Sequence, residues 1–289
     1  MVKVSAIQMS MSTDEHSNID KALRLVREAV FNGAQIILLP ELFSSLYFCK
    51  DMDERYFSLA KPLKNNELIQ KFSALSKELS VVILVSYFEK SGEERFNSLV
   101  VINANGEVMS NYRKTHIPDG PGYEEKFYFK PGDSGFKVYY TAFGRIGVGI
   151  CWDQWFCETA RILALKGAEI IFYPTAIGSE PEIKIDSKEH WQRVQMGQAA
   201  TNTVPIVTAN RIGKEVGESC EITFYGSSFI TDYTGSIIAE ASRNKEEIIY
   251  ADFDLEENAK QREYWGLLRD RREEAYKSIC KINSSFSTH

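Results

Sequence analysis

The stretch Arg145-Ile-Gly-Val-Gly-Ile-Cys-Trp-Asp153 is an apolar run that stops abruptly at a cysteine. Its isoleucines and valine alternate with glycines, and this period of two predicts a tightly packed β-strand. A helix is predicted to follow over 158–166. Cys151 is therefore expected at a strand-to-helix turn, where open α/β sheets gather their ligands. Because free cysteines are commonly buried structural residues, other groups must decide whether this thiol is a nucleophile.

A second apolar run, Gly33-Ala-Gln-Ile-Ile-Leu-Leu-Pro40, is followed immediately by Glu41. An apolar run without alternation is typical of a strand that is buried on both faces. A carboxyl group that is buried at the end of such a strand is suited to act as a general base, whereas one at the sheet's rim would be solvated. Both interpretations of Glu41 stay open on this observation alone.

Lys114 follows a third strand-like segment, predicted over 107–112, in Asn111-Tyr-Arg-Lys-Thr-His-Ile-Pro118. Taken alone, such a lysine is most simply explained as solvated surface. Here, however, an acid, an ammonium and a thiol each follow a separate predicted strand. Because the carboxyl ends of parallel strands share one edge of a sheet, the three groups are expected to converge.

The sequences around these residues, Leu-Pro-Glu41, Arg-Lys114-Thr-His and Gly-Ile-Cys151-Trp-Asp, resemble the Glu-Lys-Cys triad of the nitrilase (carbon-nitrogen hydrolase) superfamily. Longer motifs resemble the branch of that superfamily that hydrolyses N-carbamoylputrescine. These motifs occupy 116–129, 151–156, 173–181, 209–213, 224–230 and 265–272. The resemblance therefore extends over almost the whole chain.

The resemblance implies a four-layer α-β-β-α sandwich, and the sequence pattern agrees with it. Helices are predicted over 18–32 and 66–79, and Asp186-Ser-Lys-Glu189 predicts a capping box that opens another. Strands are predicted over 2–9, 36–39, 81–88, 98–103, 145–150, 169–173, 204–209, 227–232 and 248–253. No linker divides the chain, so one domain is predicted over 1–277, with a flexible tail over 278–289.

The resemblance also assigns a chemical role to each member of the triad. Cys151 would attack a carbonyl carbon after losing its proton to Glu41, which gives a thioester intermediate. Lys114 would stabilise the oxyanion. A further glutamate is implied at Glu125, in Tyr123-Glu-Glu-Lys-Phe127, to orient Lys114 and the substrate amide. Without the resemblance, Glu125 would be interpreted as part of a charged surface turn.

The implied substrate, a carbamoylated diamine, carries an ammonium at its far end, for which a carboxylate is the natural partner. Glu180 and Asp119 are the candidates for that carboxylate. Tyr47, Trp152 and Trp155 could line the channel for the methylene groups. Aromatic residues in an α/β chain are also typical of the core, so both interpretations of these three remain open.

Composition excludes several other classes of protein. The net charge of −6 over 289 residues argues against a nucleic-acid partner, which requires clustered lysine and arginine. No apolar run reaches the ~18 residues of a transmembrane helix, and the start of the chain lacks the features of a signal peptide. A cytoplasmic protein that binds neither nucleic acid nor membrane is predicted.

The five cysteines are odd in number and contain no CxxC spacing, so a disulfide framework or a zinc site is not expected. The four histidines show no paired ligand spacing, and no metal or cofactor is implied. The resemblance further implies a homo-oligomer of even number, with the C-terminal arm crossing to a neighbour.

Three alternatives to the N-carbamoylputrescine interpretation remain at this stage. One is another hydrolase of the superfamily, such as a β-ureidopropionase or an aliphatic amidase. A second, from a different class, is a thiol redox enzyme that uses Cys151 with Cys157 as resolving thiol. The missing CxxC spacing and the unexplained Glu41 and Lys114 count against it. A catalytically silent scaffold is the third, and the intact triad argues against it.

Overall fold

Two β-sheets pack face to face, and helices cover the outer face of each, in a computed structural model that describes residues 1–179 and 185–279. The predicted α-β-β-α architecture is thereby confirmed. The helices are α1 (Glu15–Phe31), α2 (Glu67–Leu79), α3 (Glu125–Tyr128), α4 (Cys157–Leu165), α5 (Lys188–Asn202) and α6 (Leu255–Trp265). The strands are β1 (Val2–Ser10), β2 (Ile36–Leu38), β3 (Val82–Ser91), β4 (Glu94–Ile102), β5 (Tyr112–Arg113), β6 (Val138–Thr141), β7 (Gly144–Val148), β8 (Ile170–Pro174), β9 (Ile206–Ala209), β10 (Arg211–Val216), β11 (Glu221–Tyr225), β12 (Phe229–Thr231), β13 (Ile237–Glu240) and β14 (Glu247–Phe253).

The larger sheet has the strand order β11-β10-β1-β2-β3-β4-β5, and β14 also pairs with β1. The smaller sheet has the order β13-β12-β9-β8-β7-β6. Strands β1, β2 and β3 are parallel in the first sheet, as are β7, β8 and β9 in the second. Each sheet therefore has a parallel centre, whose strands end together at one edge.

Burial on both faces explains the uninterrupted apolar run at β2. Ile36 and Leu38 pack into the core between the sheets, whereas Ile37 and Leu39 pack against the residues of α1 and α2. Alternate side chains of a strand point to opposite faces, so both sets must be apolar here. Each fully buried aliphatic side chain of this kind stabilises the fold by about 1.5–3 kcal/mol.

Glycine in β7 permits close approach of a helix. Ile146 and Val148 face the core between the sheets, and Gly147 faces α4. A Cβ atom at position 147 would lie 3.1 Å from the Cβ atom of Leu163. Glycine therefore alternates with branched residues in β7 because one face of the strand fills the core between the sheets. The other face must leave room for helix α4.

The two helices predicted on the outside of the larger sheet are present, with small differences in extent. Helix α1 begins at Glu15, earlier than predicted, because the Asp14 carboxylate caps it by accepting from the His16 N–H group. Helix α2 begins as predicted, since the Asn66 side chain accepts from the Leu68 N–H group. The first turn of a helix has unpaired N–H groups, and these side chains satisfy them.

Two local predictions require correction. The strand expected over 107–112 is reduced to β5, and before it only Val108 forms an isolated bridge. The capping box predicted over 186–189 forms only in part, because the Glu189 carboxylate pairs with Arg193 at 3.1 Å. The other half is present, since the Asp186 carboxylate accepts from the Lys188 N–H group at 3.1 Å.

The directions of the strands bring the predicted residues together. Strand β5 is antiparallel to β4, and β4 is antiparallel to β3, so β5 runs in the same direction as β2 and β3. Lys114 and Glu41 therefore leave the larger sheet at one edge. Cys151 follows β7 of the other sheet, so the expectation of a single shared sheet edge requires correction. The two edges meet where the Glu41 N–H group donates to the Thr175 carbonyl oxygen at 3.4 Å.

The predicted tail over 278–289 lies almost entirely outside the described residues, so the domain boundary at 277 stays a prediction. In the part of the chain that the structure describes, no helix has both the length and the apolar character that a membrane crossing requires.

Candidate active site

Cys151 lies at a sharp turn between β7 and α4, where the backbone adopts a left-handed conformation. Its φ angle is +43°, a region that L-residues other than glycine rarely occupy. The 3-10 turn Cys151–Trp155 follows directly. Strained backbone of this kind persists only where the surroundings hold it, and it displays a side chain away from the strand. The Cys151 thiol accordingly borders a cavity, although only 7% of the residue is exposed.

Asp153 is the residue that holds this turn. One of its carboxylate oxygens accepts from the Ile150 N–H group at 2.9 Å and from the Tyr112 hydroxyl at 2.7 Å. Its other oxygen accepts from the His116 N–H group at 2.9 Å and from His116 Nδ1 at 2.7 Å. Four hydrogen bonds to one buried carboxylate fix the backbone on both sides of the thiol.

Glu41, Lys114 and Glu125 form a single buried cluster. Lys114 Nζ donates to Glu41 Oε1 at 2.9 Å and to Glu125 Oε2 at 2.6 Å. All three residues are fully buried. An ammonium between two carboxylates in a dry site is compensated by both of them, whereas any one of these charges alone would be costly to bury.

Burial and charge set the protonation of this cluster. Burial disfavours the ammonium of Lys114, but Glu125 and Glu41 outweigh it and raise the pKa of Lys114 well above its ordinary value. Burial also raises the pKa of Glu125 above its usual range, although Lys114 opposes that shift. For Cys151, burial first and the charge of Glu41 second raise the pKa of the thiol well above its ordinary value. The resting thiol is therefore protonated and requires a base.

Two further side chains contact the carboxylates of the cluster. Asn97 Nδ2 donates to Glu41 Oε1 at 2.6 Å, and the Tyr47 hydroxyl donates to Glu125 Oε1 at 2.7 Å. Among the described residues, Glu41 Oε2 has no hydrogen-bond partner. Buried polar atoms are nearly always hydrogen-bonded, and an exception at a carboxylate oxygen is consistent with a catalytic role.

Arg211, at the start of β10, holds the backbone that carries Glu41. Its guanidinium donates to the carbonyl oxygens of Glu41 at 2.7 Å and Leu42 at 3.1 Å. It also pairs with Glu215 at 2.9 Å. Glu215 in turn accepts from the Tyr47 N–H group at 2.6 Å. One buried ion pair thus anchors the loop that carries both Glu41 and Tyr47.

The cavity beside Cys151 has a volume of about 560 Å³. It is lined by Glu125 and by the predicted Asp119, Trp152 and Trp155. The two tryptophan rings lie 5.9 Å apart, and the Trp155 ring lies 5.0 Å from that of His190. A cavity of this size and partly aromatic lining suits a small ligand with an apolar middle.

Not every predicted residue lies at this cavity. Tyr47 does not line it, is fully buried, and instead contacts Glu125. Asp119 lines it but is half-exposed, 3.6 Å from Lys126. Glu180 lies outside the described residues.

Sequence reasoning missed Asn97, Asp153 and Arg211, which position the cluster and the turn. Asp153 could have been found, since a charged residue directly after an apolar strand and a cysteine requires buried partners. Asn97 and Arg211 gave no such local signal.

Within residues 1–179 and 185–279, no group of three or more histidine, cysteine, aspartate or glutamate residues could hold a metal ion. The four cysteines in that part of the chain are free thiols, and Cys157 is exposed. Cys157 does not line the cavity that Cys151 borders.

Comparisons with known proteins agree with the architecture of the fold. A model of the carbon-nitrogen hydrolase family matches residues 3–263. An N-carbamoylputrescine amidase of Arabidopsis thaliana is 52% identical over 289 residues, which cover 98% of this chain and 97% of the relative. A citrullinase of Francisella tularensis is 50% identical over 281 residues, which cover 97% of this chain and 98% of the relative.

Among solved structures, a carbon-nitrogen hydrolase from Helicobacter pylori G27 matches with a TM-score of 0.91 and 38% identity, over 97% of this chain and 98% of that one. The family match extends over most of the chain, and the relatives match it nearly end to end. This chain therefore belongs to the carbon-nitrogen hydrolase family.

Proposed function

We propose that the protein hydrolyses N-carbamoylputrescine to putrescine, carbon dioxide and ammonia through a thioester on Cys151. The observation that carries this proposal is the buried Glu41–Lys114–Glu125 cluster beside the cavity that Cys151 borders. The cluster supplies a base and a cation, and Cys151 supplies the nucleophile. Hydrolysis of a carbon–nitrogen bond requires these three groups. Family membership removes the redox interpretation of Cys151 with Cys157.

In the first half-reaction, Glu41 Oε2 takes the thiol proton and Cys151 Sγ forms a bond to the carbamoyl carbon. The negative charge on the carbonyl oxygen is stabilised by Lys114 and by a backbone N–H group at or just after Cys151. When the carbon–nitrogen bond breaks, Glu41 returns the proton to the leaving amine. A single oxyanion donor of this kind typically accounts for about 2.7–4 kcal/mol of transition-state stabilisation.

In the second half-reaction, Glu41 takes a proton from water, and the resulting hydroxide adds to the thioester carbon. The carbon–sulfur bond then breaks, and Glu41 returns the proton to the Cys151 sulfur. The product carbamic acid separates into carbon dioxide and ammonia, so atoms and charges balance. Glu125 keeps Lys114 charged and oriented throughout and forms no bond to substrate.

The lining of the cavity supports a substrate with a cationic far end. Among the lining residues in the described part of the chain there is no lysine or arginine, whereas Asp119 is present. Citrulline, the substrate suggested by the name of the other relative, carries a carboxylate, and the described lining offers it no lysine or arginine. An unpaired charge in a cavity is costly, so the diamine is favoured.

A kinetic panel tests this proposal with ammonia release from N-carbamoylputrescine, citrulline, N-carbamoyl-β-alanine and a simple aliphatic amide. We expect kcat/KM for N-carbamoylputrescine to exceed that for either carboxylate-bearing substrate at least about 30-fold, the lower end of the effect of one unpaired buried charge. Faster turnover of citrulline would contradict the substrate assignment. Absence of hydrolysis across the panel would contradict the activity itself.

Asp119→Asn tests the recognition of the substrate ammonium. Because Asp119 is half-exposed and already near Lys126, we expect only about a 2- to 5-fold loss in kcat/KM for N-carbamoylputrescine. The uncharged aliphatic amide serves as the internal control and should be unaffected. Equal losses for both substrates would mean that Asp119 shapes the cavity without binding the amine. Glu180, the other candidate, stays a prediction.

We further propose a cytoplasmic location and a homo-oligomer of even number. The free thiols support a reducing compartment. Exposed apolar side chains near the end of α6, at Tyr264, Trp265 and Leu267, support association through the C-terminal region.

A further inference from the structure

We propose that Asn97 is a positioning residue that decides which oxygen of Glu41 acts as the general base. Asn97 lies in the middle of β4 and is fully buried. The register of the antiparallel strands places Asn97 opposite Lys114. Ser98, the residue after Asn97, is the partner of Arg113, the residue before Lys114. The inference rests on the function proposed above.

Asn97 contacts both the base and the cation. Its Nδ2 atom donates to Glu41 Oε1 at 2.6 Å, and its backbone carbonyl oxygen accepts from the Lys114 N–H group at 2.8 Å. The orientation of the amide follows from chemistry, because a carboxylate oxygen accepts and only the NH₂ end can donate to it. One residue thus fixes the side chain of Glu41 and the backbone of Lys114.

The two donors on Glu41 converge on the same oxygen. Lys114 Nζ reaches Oε1 at 2.9 Å, next to the Asn97 amide, while Oε2 is the oxygen without a partner among the described residues. Two donors stabilise negative charge on Oε1 and leave Oε2 as the position that receives a proton. The folded structure therefore determines which oxygen of Glu41 is held by donors, as well as where the carboxylate lies.

Lys114 alone could not maintain this asymmetry. An ammonium is a compact point charge with three rotatable donors on a flexible stem, so it can pair with either carboxylate oxygen. The planar amide of Asn97 has a fixed direction and holds Oε1 in one place. Without it, Glu41 can rotate and present either oxygen to Lys114, and Oε2 is then no longer kept as the oxygen that receives the proton.

A purely structural role would predict a different outcome, and Asn202 provides a matched control. Asn202 is also buried, its Nδ2 donates to the Gln198 carbonyl oxygen at 2.8 Å, and it lies at the end of α5 away from the cavity. In both asparagines the Oδ1 atom lacks a partner within the described residues. Leucine has nearly the same shape as asparagine and removes the donor from each.

The experiment compares Asn97→Leu and Asn202→Leu with the wild-type enzyme on N-carbamoylputrescine. We expect kcat of Asn97→Leu to fall about 10- to 100-fold with KM within about 3-fold, as for a misplaced catalytic group. Asn202→Leu should keep kcat within about 2-fold, in line with a substitution that removes no transition-state contact. Melting temperatures should fall by similar amounts in both variants.

The rate of Cys151 alkylation by iodoacetamide, measured on its peptide by mass spectrometry, adds a readout independent of turnover. It should fall in Asn97→Leu and not in Asn202→Leu, because alkylation requires the thiolate that Glu41 generates. Asn97→Ser, whose hydroxyl is too short to reach Oε1, should behave like Asn97→Leu and replaces it if that variant does not fold.

Unchanged kcat in folded Asn97 variants, or an equal loss in Asn202→Leu, would overturn the inference. Failure of the wild-type enzyme to hydrolyse the substrate would instead overturn the proposed function.

Discussion

Cys151→Ala should lose at least about 10⁴-fold in kcat while the protein remains folded, as expected for removal of a covalent nucleophile. In the part of the chain that the structure describes, no other thiol borders the cavity. Alanine carries the same Cβ atom as cysteine, so the left-handed backbone at position 151 should be no more strained in the variant. Ammonia release measures the activity, and the melting temperature reports the fold.

Cys157→Ala is the control for this prediction. Cys157 is exposed, and its thiol contacts only the neighbouring Glu158 among the hydrogen bonds of the described residues. We expect this variant to keep most of the wild-type kcat, and Cys49→Ala to do so as well. Residual activity near the wild-type level in Cys151→Ala would rule out its role as nucleophile.

Glu41→Gln should lose at least about 100-fold in kcat, the effect of removing a positioned general base. Glutamine preserves the shape and can still accept from Lys114, so the geometry of the cluster should survive. Lys114→Ala should lose a similar factor in kcat, as for removal of an oxyanion donor. It should also lower the melting temperature, because Glu41 and Glu125 are left buried without a cation. Steady-state kinetics and thermal unfolding measure the two effects separately.

Double variants test whether these residues act as one unit. Glu41→Gln combined with Cys151→Ala should be no slower than Cys151→Ala alone, because a base has no function without its nucleophile. Losses that multiply across the pair would mean that the two residues contribute to different steps by independent mechanisms.

The fold could be predicted from the sequence where strands are buried on both faces. The apolar run before Glu41 and the glycine-spaced run before Cys151 carry no polar residues on a solvent face, so their strand pattern is clear in the sequence. Strands β10 and β11 escaped prediction because their exposed faces carry charges, as in the Lys214–Glu221 ion pair. A strand with charged residues on its solvent side is readily interpreted as a loop.

The site could be predicted only in part, for a related reason. Glu41 and Cys151 each follow an apolar strand, and Lys114 follows the short strand β5, so each has a local signal. The roles of Asn97 and Arg211 depend on contacts between residues far apart in the chain. A fully buried arginine also contradicts the ordinary expectation for that residue type. Tyr47 was predicted for the substrate channel, but its hydroxyl contacts Glu125, a pairing that only the folded loop creates.

Glu41, Lys114 and Cys151 lie just past the ends of strands from two sheets, whereas Asp119, Trp152 and Trp155 belong to the loops and the turn around the cavity. This separation allows evolution to change the two parts independently. Substitutions in the loops can alter which molecule fits the cavity, while the strand ends keep Glu41, Lys114 and Cys151 in place.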